Sequence, residues 1–179
     1  MDSLELGRSE SEKMGWIKTL VKGEEQMEET GIIDMNLGFD PDKILIQESL
    51  QFLLSLKSEF IDTCNTFNEL KTSPLGRIKV YGIAKTHADF MLFRNGFKMI
   101  FSFKNPGVVS IRFNFVGSNF IPSPQNNDSQ NENNVMDEHQ VEAQWAPFGE
   151  VKWTYQGHVF KKSYLVQYYL TLFIKESAK

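Results

Sequence analysis

The dipeptide Asn95-Gly96 stands between two runs rich in Phe, Met and Ile, Asp89–Arg94 and Phe97–Lys104. A type I′ turn needs positive φ at both central residues, which Asn and Gly accept, so this pair between apolar runs is a strong signal for a tight β-hairpin. A two-residue loop pairs Arg94 with Phe97, and paired positions then sum to 191, so that Phe90 faces Phe101 and Leu92 faces Met99. The next turn, Asn105-Pro106-Gly107, tests that register. Read as a three-residue loop it pairs Lys104 with Val108, and positions sum to 212. Phe97, Met99, Phe101 and Phe103 then lie opposite Phe115, Phe113, Ile111 and Val109. A two-residue loop would set Phe103 against Ser110 and split the apolar face. Because a one-residue slip turns every side chain to the other face of the sheet, the three-residue reading is the expected one.

The same register fixes what the opposite face displays: Met91, Phe93, Lys98, Ile100, Ser102, Lys104, Ser110, Arg112 and Asn114. Lys98, Lys104 and Arg112 stand there beside Met91, Phe93 and Ile100. Long cationic stems cover apolar neighbours on many solvated faces. The alternative is a partner site, with the cations steering an acidic protein segment and the apolar side chains anchoring it. The chain's own acidic N-terminal region is one such segment.

Helices flank this meander. Asp40 is a good N-cap, Pro41 suits the first helical position, and Ile46, Leu50, Leu53, Phe60, Cys64 and Phe67 recur at helical spacing up to Lys71. Leu45, Phe52 and Leu56 widen that stripe, and an unbroken helix of this length, roughly 46 Å, exceeds what one small sheet covers, so either a bend near Lys57-Ser58 or packing on a second copy of the chain is expected. A second hairpin joins Val141–Pro147 to Val151–Gln156, with Trp145 opposite Trp153. A last helix, capped by Ser163, keeps Gln167, Thr171 and Lys175 on one narrow stripe and is apolar elsewhere. Near the start, Trp16, Ile17, Leu20 and Val21 suggest a short amphipathic helix that Gly23 ends, with Trp16 and Leu20 as further partner contacts. The fold class is therefore α+β: a long N-terminal helix, an antiparallel meander of hairpins, and a C-terminal helix packed on the sheet. Residues 1–35 read as a flexible acidic segment, and residues 36–179 as one domain carrying a disordered polar loop at 122–140.

Charge is unevenly spread. Residues 1–71 hold 7 basic and 15 acidic side chains, and residues 72–179 hold 12 basic and 8 acidic ones. No run is long and apolar enough for a membrane span, and the polar, acidic beginning is unlike an export signal, so the cytoplasm is the expected compartment. Chemistry is sparse. His87 and Asp89 could form a base and its orienter on one strand face, but no nucleophile goes with them. His139 falls in the polar loop, His158 follows a turn glycine and should face water, and Cys64 sits on an apolar helical stripe as a small core residue. No metal set, phosphate loop or dinucleotide fingerprint is present in the sequence, and no cofactor is expected. In Arg94–Phe103, Lys98 and Met99 stand where an RNA-recognition signature needs a small residue and an aromatic one. The expected function is a non-enzymatic interaction module, an adaptor or an assembly subunit, that binds a protein partner and self-associates through the long helix. An apolar small molecule held between helix and sheet, or nucleic acid on the basic sheet region, are the alternatives.

Overall fold

The computed structural model describes residues 10–114 and 137–178, of residues 10–13 the backbone alone. The chain divides into two compact units, Met1–Ile44 and Leu45–Lys179.

In the first unit, helix α1 (Glu10–Thr30) is followed by a turn in which Asp34 accepts from the Asn36 amide at 3.0 Å. Gly23 does not end this helix. A Cβ there would lie 1.7 Å from Leu37 Cδ2, so the glycine serves as a dimple that receives the Leu37 side chain, and Leu20 likewise packs on Gly38. None of the unit's described side chains is buried.

Helix α2 (Pro41–Leu70) starts as its sequence dictates, with Asp40 Oδ1 accepting from the Lys43 amide. It runs unbroken to Leu70, so the expected bend at Lys57-Ser58 does not interrupt it. Among the described residues seven antiparallel strands follow in sequential order: β1 (Lys79–Gly82), β2 (Phe90–Arg94), β3 (Phe97–Asn105), β4 (Val108–Phe113), β5 (Asp137–Trp145), β6 (Val151–Tyr155) and β7 (His158–Val159). Helix α3 (Lys162–Ser177) closes the chain. Its N-cap is Lys161, so Ser163 falls inside the helix and does not cap it.

The apolar face of the meander meets the helices. Phe90 stacks on Phe101 at 4.8 Å, the cross-strand pair of the 191 register, and Phe60 of α2 lies 4.8 Å from Phe101. Phe113, Phe173, Leu53 and Leu56 complete this core at 2% exposure or less. A buried side chain of this size contributes roughly 1.5–3 kcal/mol, so these rings dominate the fold's stability. Cys64 is buried with them, and desolvation pushes its thiol up to about 12, far from any reactive range.

Three polar clamps fix the helices to the sheet. Ser49 donates to Leu45 O and accepts from the Gly107 amide at 2.8 Å, joining α2 to the β3–β4 turn. Asn68 brackets Ile78, its Oδ1 accepting from the amide and its Nδ2 donating to the carbonyl, both at 2.9 Å. Arg94, 6% exposed, donates from Nε to Gly76 O at 2.7 Å and from one terminal nitrogen to Ile174 O and Ser177 Oγ, and its guanidinium lies 5.3 Å from the Phe67 ring centroid. The charge therefore sits at the C-terminal end of α3, where the helix dipole favours a cation.

The structure corrects several boundaries. Val108 pairs with Asn105, not Lys104, and a register shift between Phe103 and Asn105 then restores Phe103 to Val109. The turn is a tight one, with Gly107 at φ 79°, and a bulge supplies the extra residue that the apolar pattern requires. Phe115 lies outside the described residues. Trp145 faces Val151, and Trp153 faces Ala143, because a five-residue connection closed by the Ala146 amide on Glu150 O replaces the shorter loop. Asp137–Gln140 belong to β5, so the polar loop ends before them. The rest of that expected loop, up to residue 136, lies outside the described residues.

Candidate partner-binding face

The face of the sheet away from the core is organised in rows by the cross-strand register. Tyr81, Met91, Ile100, Arg112 and Glu138 form one row across β1 to β5. Lys79, Phe93 and Lys98 form the next, continued by Asn114, whose Oδ1 accepts from the Lys98 amide at 2.8 Å. A row that passes from apolar side chains to Arg112 and then Glu138 thus lies beside a row that places Phe93 between two lysines. Met91, Phe93 and Ile100 are half-buried, while Tyr81, Lys79 and Lys98 are exposed.

Glu138 organises the electrostatics. Its Oε1 accepts from Ser110 Oγ at 2.7 Å, from Lys104 Nζ at 3.0 Å and from Gln140 Nε2 at 3.4 Å. The Ser110 hydroxyl first, then Lys104 and Gln140, hold this carboxyl below its usual range against the opposing effect of burial. Arg112 stands directly opposite Glu138 in the register, yet shares none of these bonds. Its Nε is buried and has no hydrogen-bond acceptor among the described residues. Of the three cations expected to steer a partner, Lys104 is therefore engaged within the chain, and Lys98 and Arg112 have no carboxylate partner among the described residues. Ser102 and Ser110 are buried on this face.

Trp16 and Leu20 belong to the first unit. Trp16 is 57% exposed, and Leu20, in contact with Gly38, is partly used inside its own unit.

The histidines have separate fates. His87 is exposed and makes no bond to Asp89, which is buried and spends Oδ1 on Thr86 Oγ1 at 2.6 Å and on the Phe103 amide at 3.1 Å. The base-and-orienter arrangement is not formed, because the carboxylate serves the loop before β2 and the start of the β3 bulge. His158 is exposed. His139, expected in an unstructured loop, lies in β5 against the core, with Nδ1 2.7 Å from Tyr169 Oη and its ring edge-on to Phe113 at 5.1 Å. Burial lowers its pKa, and Asp137 works in the opposite direction. Burial also raises the Tyr169 phenol, so both partners are held neutral, as a satisfied core pair. Sequence reasoning missed this residue, although His139 keeps strict alternation with Val141.

A groove of about 530 Å³ opens where α2 meets β6, β7 and the start of α3. Phe52 and Trp153, stacked at 4.3 Å, form its apolar wall with Phe160, and Lys162, bonded to Ser55 and 3.4 Å from Glu59, borders it. Among the described residues no helix is long and apolar enough to cross a membrane, and no group of acidic, Cys or His side chains is arranged to hold a metal. No protein family, no curated protein and no solved structure matches this chain.

Proposed function

We propose that this chain is a non-enzymatic protein-interaction module, an adaptor or a subunit of a larger assembly, that receives an acidic segment of a protein partner on the outer face of its sheet. The observation that carries this reading is Arg112. A guanidinium N–H withdrawn from water without an acceptor costs about 1–3 kcal/mol, and Oε1 of the carboxylate across from it accepts from Ser110 and Lys104 instead. A partner carboxylate that draws the half-buried Arg112 side chain outward would supply the acceptor that the described residues do not. Met91, Phe93 and Ile100 supply the apolar contact around it, and Lys98 raises the rate of encounter. Trp16 offers a second, separate apolar anchor on the N-terminal unit. Self-association through α2 has less to work with than the sequence suggests, since Leu53, Leu56, Phe60 and Cys64 are buried in the chain's own core and Ile46 and Leu54 remain exposed.

The test is a fluorescently labelled peptide of alternating Glu and Phe, titrated into the full chain at several salt concentrations. Affinity should fall with salt, and reversing charge with Lys98→Glu and Arg112→Glu together should abolish most of both the affinity and its salt dependence. Equal affinity for wild type and double variant at low salt would sink the proposal. Preference for a single-stranded oligonucleotide over the peptide would replace it with nucleic-acid binding. The Phe52–Trp153 groove favours a second reading, an apolar small ligand between helix and sheet, which native mass spectrometry would reveal as bound excess mass.

A further inference from the structure

Among the described residues, strands in sequential order leave the sheet with two open edges, β1 and β7. The backbone of β1 shows which groups its edge presents. The Ile83 amide donates to Asp89 O at 2.9 Å, one position beyond the Gly82–Phe90 pair. Hydrogen-bonded and non-bonded pairs alternate along an antiparallel ladder. Tyr81–Met91 and Lys79–Phe93 are therefore the bonded pairs, and Val80 and Gly82 turn their N–H and C=O groups away from β2. Ile78 has the same outward phase, and there Asn68 has taken both groups, as a residue of a neighbouring strand would. The edge is closed at Ile78 and open at Val80 and Gly82, whose outward groups have no partner among the described residues.

Open edges are hazards that proteins block with proline, bulges or charge. Proline and bulge are both missing from Lys79–Gly82. The segment that carries it holds charge of one sign: residues 71–88 contain Lys71, Arg77, Lys79 and Lys85 and no acid. Lys57 Nζ of α2 lies 3.5 Å from where a Cβ of Gly82 would sit. Such an edge repels a second copy of itself and selects for an acidic strand. A strand added there would also prolong the two rows of the outer face, with one side chain beside Tyr81 and another, two positions away, beside Lys79.

We infer that an acidic, extended segment of the partner joins β1 as an eighth strand, hydrogen-bonded to Val80 and Gly82. This rests on the acidic-partner reading above and adds the location and the backbone geometry of capture. The probe is an acetylated, amidated octapeptide of alternating Glu and Val, added at millimolar concentration to the isotope-labelled full chain. Amide hydrogen exchange at Val80 and Gly82 should slow by about tenfold or more, the equivalent of one net hydrogen bond, while Tyr81, already in the ladder, stays unchanged. Gly82→Pro removes an outward N–H without touching the β1–β2 bonds and should weaken the peptide by a similar factor. The exchange pattern of the unsubstituted chain decides the matter if that variant does not fold. Peptide binding that depends on Lys98 and Arg112 but leaves Val80 and Gly82 exchanging freely would overturn the edge and keep the outer-face reading. Protection at Val80 and Gly82 that survives Lys98→Glu with Arg112→Glu would keep the edge and overturn the outer face. No binding at millimolar peptide, or equal binding of a Lys-Val octapeptide, would overturn both.

Discussion

The two faces of strands β2 to β4 carry one arginine each, and the described residues treat them oppositely. On the core face, Arg94 is enclosed and satisfied by Gly76, Ile174 and Ser177. On the outer face, Arg112 has a buried Nε with no acceptor among the described residues, although a carboxylate stands directly across from it. Arg94 lies against the Phe67 ring and Arg112 stands opposite Ile100, so each has an apolar neighbour. What distinguishes them is whether the described residues provide the acceptors. A polar group that a fold completes is part of its stability, and one left incomplete is available to something else.

Arg94→Met gives the largest expected effect on this contrast. The substitution keeps the stem's volume and removes the donors, leaving the carbonyls of Gly76 and Ile174 and the end of α3 without them. Loss of a buried charged donor from such a network should cost about 3 kcal/mol, read as a shift of the urea midpoint with an unchanged slope. A loss below about 0.5 kcal/mol, the range of ordinary surface substitutions, would mean that Arg94 is held by packing alone.

How much of this was legible in the sequence depends on what carried the information. Face alternation was legible, because parity is insensitive to turn details: both meander registers follow from it, and so does the membership of the outer face. Parity also put Arg94 on the same side as Phe90 and Leu92, a signal for a buried cation that composition alone hides. The bulge before Asn105 was not legible, since the apolar pattern is equally satisfied by a longer loop and by a tight turn with an extra residue. Gly23 misled because a missing side chain serves helix termination and close packing alike, and only Leu37, distant in sequence, tells them apart. Glu138 and His139 were hidden by the polar run before them, although alternation from Val141 backwards places one on each face.

His139 offers an intermediate effect on the core face. Its folded-state pKa lies below the ordinary 6.5 because burial disfavours the charged ring, and the groups around it are Asp137 on its own strand, Tyr155 of β6 and Tyr169 of α3. Above pH 6.5 the ring is neutral in folded and unfolded chains, and its contribution is complete. As pH falls through 6.5 towards the lower folded value, the unfolded chain takes up the proton first, so stability declines. Melting temperatures of wild type and His139→Gln, compared at pH 7.5 and about pH 5 on this argument, should diverge, with the wild type losing more. Parallel curves would show that the ring is solvated in both states.

The smallest expected change in stability gives the sharpest contrast. Arg112→Met is the same substitution as Arg94→Met, one strand hairpin away and on the opposite face. It removes a buried N–H that has no acceptor among the described residues and keeps an apolar stem opposite Ile100, so nothing the described fold depends on is lost. Exchanging an unsatisfied polar group for an apolar one of similar shape is neutral or mildly stabilising, within about 0.5 kcal/mol of zero. The binding consequence runs the other way, because the variant discards the group that a partner carboxylate would complete, and affinity for the acidic peptide should drop by about tenfold or more. The two measurements constrain each other. Lost affinity at unchanged stability marks Arg112 as held for a partner. If instead Arg112→Met costs as much stability as Arg94→Met, the guanidinium has an acceptor within its own chain, the two faces are alike, and the outer face is a solvated surface with no site on it.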